Sequence, residues 1–161
     1  MGRRCRDVAE CFPRVCWHCR ECNPHRTAFV IADVATRPPF TCVVVRVHDG
    51  DGPLWCANGS KVRIAGVQAP DYEDAEPCWR RDASRANYTC DNAAANRSQK
   101  IVERMVLRQT ITCQPVGMSY ARVVARCKLA DGRSLSCAVI AAGAATRWDR
   151  YWRQYRMGDC R

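Results

Sequence analysis

The chain has 161 residues and a formal net charge of +10, from 26 basic against 16 acidic residues. That length fits one domain with an appendage and allows a buried core, and no apolar run approaches the length of a helical membrane span. Of the basic residues 23 are arginine and 3 lysine. Arginine offers a planar fork that matches phosphate in two hydrogen bonds, so the composition points to DNA and/or RNA, set against the plainer reading of a solvated basic surface.

Residues 1–39 read as a cysteine-rich N-terminal extension. Cys11, Cys16, Cys19 and Cys22, with His18 and His25 close by, offer enough ligands for one tetrahedral zinc, although zinc ribbons usually join two separated Cys-x2-Cys pairs. Cys16, Cys19 and Cys22 also match three quarters of a bacterial iron–sulfur run, with Arg26 at the fourth position. Disulfides or plain thiols are the remaining reading. The 13 cysteines suit an oxidising compartment, and an odd count leaves at least one thiol unpaired or metal-bound. The opening Met1-Gly2-Arg3-Arg4-Cys5-Arg6-Asp7 lacks the apolar segment of a secretory signal and argues the other way, for the cytoplasm by default.

From Phe40 to Val47 a β-branched run predicts a buried strand, stopped by the turn formers Asp49-Gly50-Asp51-Gly52-Pro53. Leu54–Ala57 predicts a second strand and Asn58-Gly59 a tight hairpin. Ser60–Gly66 returns as a third strand, with Val62 and Ile64 on one face and Arg63 on the other. An acidic loop follows (Asp71, Glu73, Asp74, Glu76). Helical period begins at Asp91, a plausible N-cap, with Ala94, Ser98, Ile101, Val102, Met105 and Val106 in one stripe and Arg97, Lys100 and Arg104 off it. Two further strands, Gln109–Gln114 and Tyr120–Lys128, are expected to be joined by a turn at Pro115-Val116-Gly117-Met118. Asp131-Gly132 turns the chain, Ser134 can cap a second helix and Gly143 can end it.

If 146–157 is helical, Trp148, Tyr151, Trp152 and Tyr155 share a face that either seals the core or stacks on a base, most plainly through Trp148 or Tyr151. Cys42 with Cys56, Cys78 with Cys90 and Cys113 with Cys127 could each be a disulfide if pairing brings their Cα atoms within about 7 Å. Three meandering strands, a helix, a hairpin and a helix predict an α+β domain over 40–161: a five-stranded OB-fold β-barrel with two to three helices.

Val45–Asp51 (VRVHDGD), Lys61–Asp71 (KVRIAGVQAPD), Ser119–Cys127 (SYARVVARC) and Gly143-Ala144-Ala145 together resemble the staphylococcal nuclease-like (thermonuclease) family. The resemblance covers residues 40 to 151 and implies an OB-fold nuclease domain that cleaves DNA or RNA phosphodiesters with calcium. It implies that Asp51 binds the metal, that Arg63 and Arg122 bind phosphate, and that Asp71 orients or deprotonates the attacking water. Three positions depart from the family pattern: Gln68 stands where a second metal-binding aspartate is usual, Asp71 where glutamate is usual, and Gly52 where threonine is usual. Glutamine still offers a carbonyl oxygen to calcium but removes one charge, and Glu73 or Asp74 could lean in to restore it.

The leading expectation is therefore a calcium-dependent, sequence-tolerant endonuclease, with a monomer only as the default, since the sequence does not give the oligomeric state. The alternatives are a catalytically weakened nucleic-acid-binding module and a zinc-dependent scaffold built on the extension. The plainest reading of the site pairs Arg63 with Asp71 on the barrel surface and leaves Asp51 as a turn residue.

Overall fold

A computed structural model describes residues 37–76, 78–80 and 87–160. Cys11, Cys16, Cys19 and Cys22, and with them the zinc and iron–sulfur readings, lie outside the described residues.

Strands β1 (Phe40–Val47), β2 (Leu54–Cys56) and β3 (Lys61–Ile64) form the antiparallel meander that their alternation predicts. Val44, Leu54, Val62 and Ile64 point into the core, whereas Trp55, Lys61 and Arg63 are only partly buried on the opposite face. After the short β4 (Val67–Gln68), helix α1 (Asn92–Val106) starts where expected: the Asp91 carboxylate accepts from the Ala94 N–H at 2.9 Å. Its buried residues are Ala95, Ser98, Val102 and Val106, with Ile101 and Met105 packed alongside. Ala95 thus replaces the expected Ala94 on the inner stripe, and Arg97, Lys100 and Arg104 are exposed.

Strand β5 (Thr110–Ser119) is longer than its sequence suggests. The expected turn at Pro115–Met118 is instead part of the strand, with a register slip between Pro115 and Gly117. A bulge accommodates a residue that has no N–H to give. The chain reverses at Tyr120-Ala121, where Tyr120 takes a φ of 54°. Strand β6 (Arg122–Lys128) runs back along β5 and then pairs in parallel with β3, and β5 pairs with β1. The barrel closes in the order β1-β2-β3-β6-β5, which is the OB-fold arrangement.

Helix α2 (Leu135–Ala141) is capped by Ser134 and buries Leu135 and Val139 in the core. The Ser136 hydroxyl donates to the Ala65 carbonyl at 2.8 Å, fastening the helix to the turn after β3. The expected helix over 146–157 is shorter. Thr146–Arg147 is drawn out as β7 against β4, so α3 covers only Asp149–Gln154. That trimming splits the aromatic face: Trp152 is buried in the core, while Trp148, Tyr151 and Tyr155 stay partly exposed.

Disulfides join Cys42 to Cys56, Cys78 to Cys90 and Cys113 to Cys127, with Cα separations of 5.0, 5.7 and 4.1 Å. A fourth, Cys137–Cys160, ties α2 to the segment after α3, a pairing that no hairpin signal in the sequence suggests. Four disulfides fit an oxidising compartment. Among the described residues no helix is long and apolar enough to cross a membrane.

Candidate functional site

The site begins at the turn between β1 and β2. Asp49 turns its side chain back so that Oδ1 accepts the Asp51 N–H at 3.0 Å and the Gly52 N–H at 2.7 Å. This local bond is the usual reason that aspartate starts a turn. Gly50 is required by packing, because a Cβ there would lie 1.6 Å from the Ser98 Oγ of α1. The helix therefore props the acidic turn against the barrel mouth. Burial, and next the neighbouring Asp51 charge, push the Asp49 carboxyl up to about 8.

Asp51, only 2% exposed, is the anchor. Arg63, projected outward by the alternation of β3, donates from Nη1 to Oδ1 at 2.7 Å and from Nη2 to Oδ2 at 3.0 Å. The Ala69 N–H adds a third bond to Asp51 Oδ2 at 3.0 Å. Arg63 thus pairs with Asp51, not with Asp71 as the plainest sequence reading had it. Burial works against its charge, but Asp51, Asp49, Asp71 and Tyr88 outweigh burial and hold the guanidinium above its usual value.

Gln68 on β4 connects the rest. Its Oε1 accepts from Arg63 Nη2 at 3.2 Å, and its Nε2 donates to Asp71 Oδ2 at 3.0 Å and to the Ala69 carbonyl at 3.2 Å. Asp71 is fixed through its backbone: its N–H donates to Thr89 O at 2.8 Å and its carbonyl accepts from Asp91 N at 3.2 Å, on either side of the disulfide-bonded Cys90. Burial, then the Asp51 charge, raise Asp71 to about 6, against the opposing pull of Arg63, the Gln68 hydrogen bond and Arg122. A carboxyl in that range exchanges a proton near neutral pH, as a general base should.

Arg122 opens β6 just past the hairpin turn. It is steadied by long contacts to Ser119, 3.4 Å from Nε to the carbonyl and 3.3 Å from Nη2 to the hydroxyl, and by the Tyr120 ring 5.7 Å away. It has no carboxylate partner among the described residues. Its charge is nonetheless felt by both Asp71 and His48, so it faces the same cleft as Arg63.

An aromatic wall stands beside Arg63. Its guanidinium carbon lies 6.0 Å from the Trp148 ring. Trp148 meets Tyr88 edge-on at 6.0 Å and Tyr151 edge-on at 4.6 Å, and Tyr151 stacks on Tyr155 at 5.6 Å. The structure therefore brings Arg63, Gln68, Asp71, Arg122, Trp148 and Tyr151 together around one cleft, with Asp51 buried behind Arg63. Tyr88 and Tyr155 join them. Tyr155 carries a helical-face signal in the sequence, while Tyr88 sits in a loop with none. Glu73 does not lean in, because it is engaged by Asn92 at the start of α1, whereas Asp74 lines the cleft.

The chain matches no protein-family model and no curated protein.

The donors fit calcium in kind. Asp51, Asp71 and the Gln68 amide offer the hard oxygens that ion takes, but both Asp51 oxygens and Gln68 Oε1 accept from Arg63. Among the described residues no group of three or more acidic, histidine or cysteine side chains is placed to hold a metal. The donors fit calcium weakly in charge, because only two are carboxylates and Arg63 already lies across Asp51.

Proposed function

We propose that the cleft binds and hydrolyses phosphodiesters, and that the protein is a sequence-tolerant nuclease acting on DNA and/or RNA. The observation that carries this reading is the continuous network Asp51–Arg63–Gln68–Asp71, with Arg122, which has no carboxylate partner among the described residues, facing the same cleft. Arg63 spends three of its five N–H donors on Asp51 and Gln68, which leaves two for a phosphate. Asp51 keeps that guanidinium charged and aimed, so its cost of ordering is met before substrate arrives.

In the proposed reaction Asp71 accepts a proton from water as the water oxygen bonds to phosphorus. The bond from phosphorus to the leaving sugar oxygen breaks, and that oxygen takes a proton from solvent. Arg63 and Arg122 hold the non-bridging oxygens and offset the charge that grows on them, a contribution that commonly amounts to about a hundredfold or more in rate. Calcium, held by Asp51 and Gln68, would add Lewis-acid polarisation of a phosphoryl oxygen. Trp148 and Tyr151 offer ring faces to a base, and stacking on rings tolerates any sequence.

A second reading has its own support. The Gln68 amide supplies no charge, and Asp51 is already neutralised by Arg63, which suits a module that holds nucleic acid and cuts it slowly or not at all. Digestion of plasmid, single-stranded DNA and RNA with calcium, with magnesium and with chelator separates the two. Cleavage that requires calcium supports the nuclease, and binding without cleavage under all three conditions supports the module.

A further inference from the structure

The cleft continues past Arg63 in both directions along β3 and has a volume of about 1180 Å³. Small-molecule pockets run roughly 300–1,000 Å³, so this one suits a segment of polymer better than a single small ligand. Toward Gly66 it meets the aromatic wall, where the Trp148 backbone N–H donates to the Gly66 carbonyl. In the other direction lie Lys61, Trp55 and Arg46, direct cross-strand neighbours on β3, β2 and β1. The Lys61 ammonium sits 4.2 Å from the Trp55 ring centroid, and the Arg46 guanidinium carbon 5.5 Å from it.

Neither cation has a carboxylate partner among the described residues. The Trp55 Nε1–H is buried and has no hydrogen-bond partner there either. Two uncompensated cations over an indole keep a standing positive charge beside a ring surface. That is the combination by which proteins track a single strand: charge for the backbone, ring for the base. The field is continuous with that of the central site, since His48 is pushed below its usual value first by burial and then by both Arg46 and Arg122.

We propose that Arg46, Trp55 and Lys61 form a second subsite that grips a single-stranded nucleic acid beyond the phosphate held at Arg63 and Arg122. This rests on the nucleic-acid reading of the cleft. Lys61 precedes Arg63 by two residues, about 6.6–6.8 Å along the strand, and two inter-strand spacings from Lys61 to Arg46 add about 9.5 Å. A dinucleotide with its one phosphate at Arg63 has no second phosphate to place on the strip, and a longer strand does.

The test compares a thymidine dinucleotide with a thymidine octanucleotide on the full chain, in wild type and in the Arg46→Ala/Lys61→Ala double variant. The double variant should bind the octanucleotide at least tenfold more weakly. The slope of its log affinity against log salt should be shallower by about 1.4, at about 0.7 per lost phosphate contact on a single strand. Its dinucleotide affinity should not change. Trp55→Ala, which removes the ring, should weaken octanucleotide binding alone. Equal loss on both lengths, or no loss on either, overturns the subsite while leaving the central site standing. Failure of the wild type to bind either oligonucleotide overturns the nucleic-acid reading and the subsite with it. Competition by polyglutamate peptide at the same strip, with no discrimination between nucleotide lengths, overturns it in favour of an acidic protein partner.

Discussion

Replacing Gln68 with aspartate adds one charge at the centre of the network, and the structure sizes the result. Gln68 lies 3.2 Å from Arg63 and 3.0 Å from Asp71. At about 3 Å and an effective dielectric of about 20, each unit-charge interaction is roughly 5 kcal/mol before screening. Without metal the new carboxylate gains Arg63 but is repelled by Asp71 and Asp51, so the gain is cancelled and fold stability should fall slightly. A divalent cation about 4 Å away gains roughly 8 kcal/mol from the same charge before screening. Discounting that to about a third for a half-exposed site leaves close to 3 kcal/mol, or about a hundredfold in calcium affinity. Calcium titration by calorimetry, with cleavage rate measured at limiting calcium, should show both curves shifted to lower concentration in Gln68→Asp. Unchanged calcium affinity in a variant of native melting temperature would refute the placement of Gln68 at the metal.

With Asp71 raised to about 6, the cleavage rate should fall tenfold per pH unit below that value and level off above it, and Asp71→Asn should abolish this limb together with the activity. Asp49, raised to about 8, binds a proton more tightly folded than unfolded, so its contribution to stability is complete below about pH 4 and is lost as pH rises through 8. Asp49→Asn keeps the acceptor for both turn N–H groups, and its melting temperature should decline less than that of the wild type between pH 6 and 9. Gly50→Ala should destabilise by about 1–3 kcal/mol or more in urea titration, because its Cβ would lie 2.8 Å from Ala69 Cβ and 2.9 Å from Ser98 Cβ, neither of which can rotate away.

What was legible in the sequence and what was not follows from the range of the signals. Strands β1 to β3 and the caps Asp91 and Ser134 announce themselves through alternation and local side-chain bonds, which act within a few residues. The Cys113–Cys127 link was within reach for the same reason, since those residues face each other directly across one hairpin. Pro115 misled because proline most often marks a turn, and only the partner strand reveals the bulge that absorbs it. Cys137–Cys160 joins segments 23 residues apart with a helix and a strand between them, and no local pattern encodes that meeting. Within the site, the resemblance to the nuclease family picked out Asp51, Arg63, Gln68, Asp71 and Arg122, and the structure gathers the last four around one cleft with Asp51 buried behind Arg63. It did not show that Arg63 would lie across Asp51 or that Gln68 would bridge to Asp71, because hydrogen-bond partners are chosen by side-chain geometry that spacing does not carry.

The most direct test of phosphodiester chemistry in this cleft is a paired measurement on Arg122→Ala: cleavage of single-stranded DNA in calcium, and affinity for the same strand in chelator. Arg122 has no carboxylate partner among the described residues, so its removal leaves no buried charge stranded and the fold should hold. The expected result is a rate loss of about a hundredfold or more with affinity changed less than about threefold, and little recovery in Arg122→Lys, whose ammonium cannot reproduce the fork. A cleavage rate equal to wild type in a folded Arg122→Ala protein would contradict it.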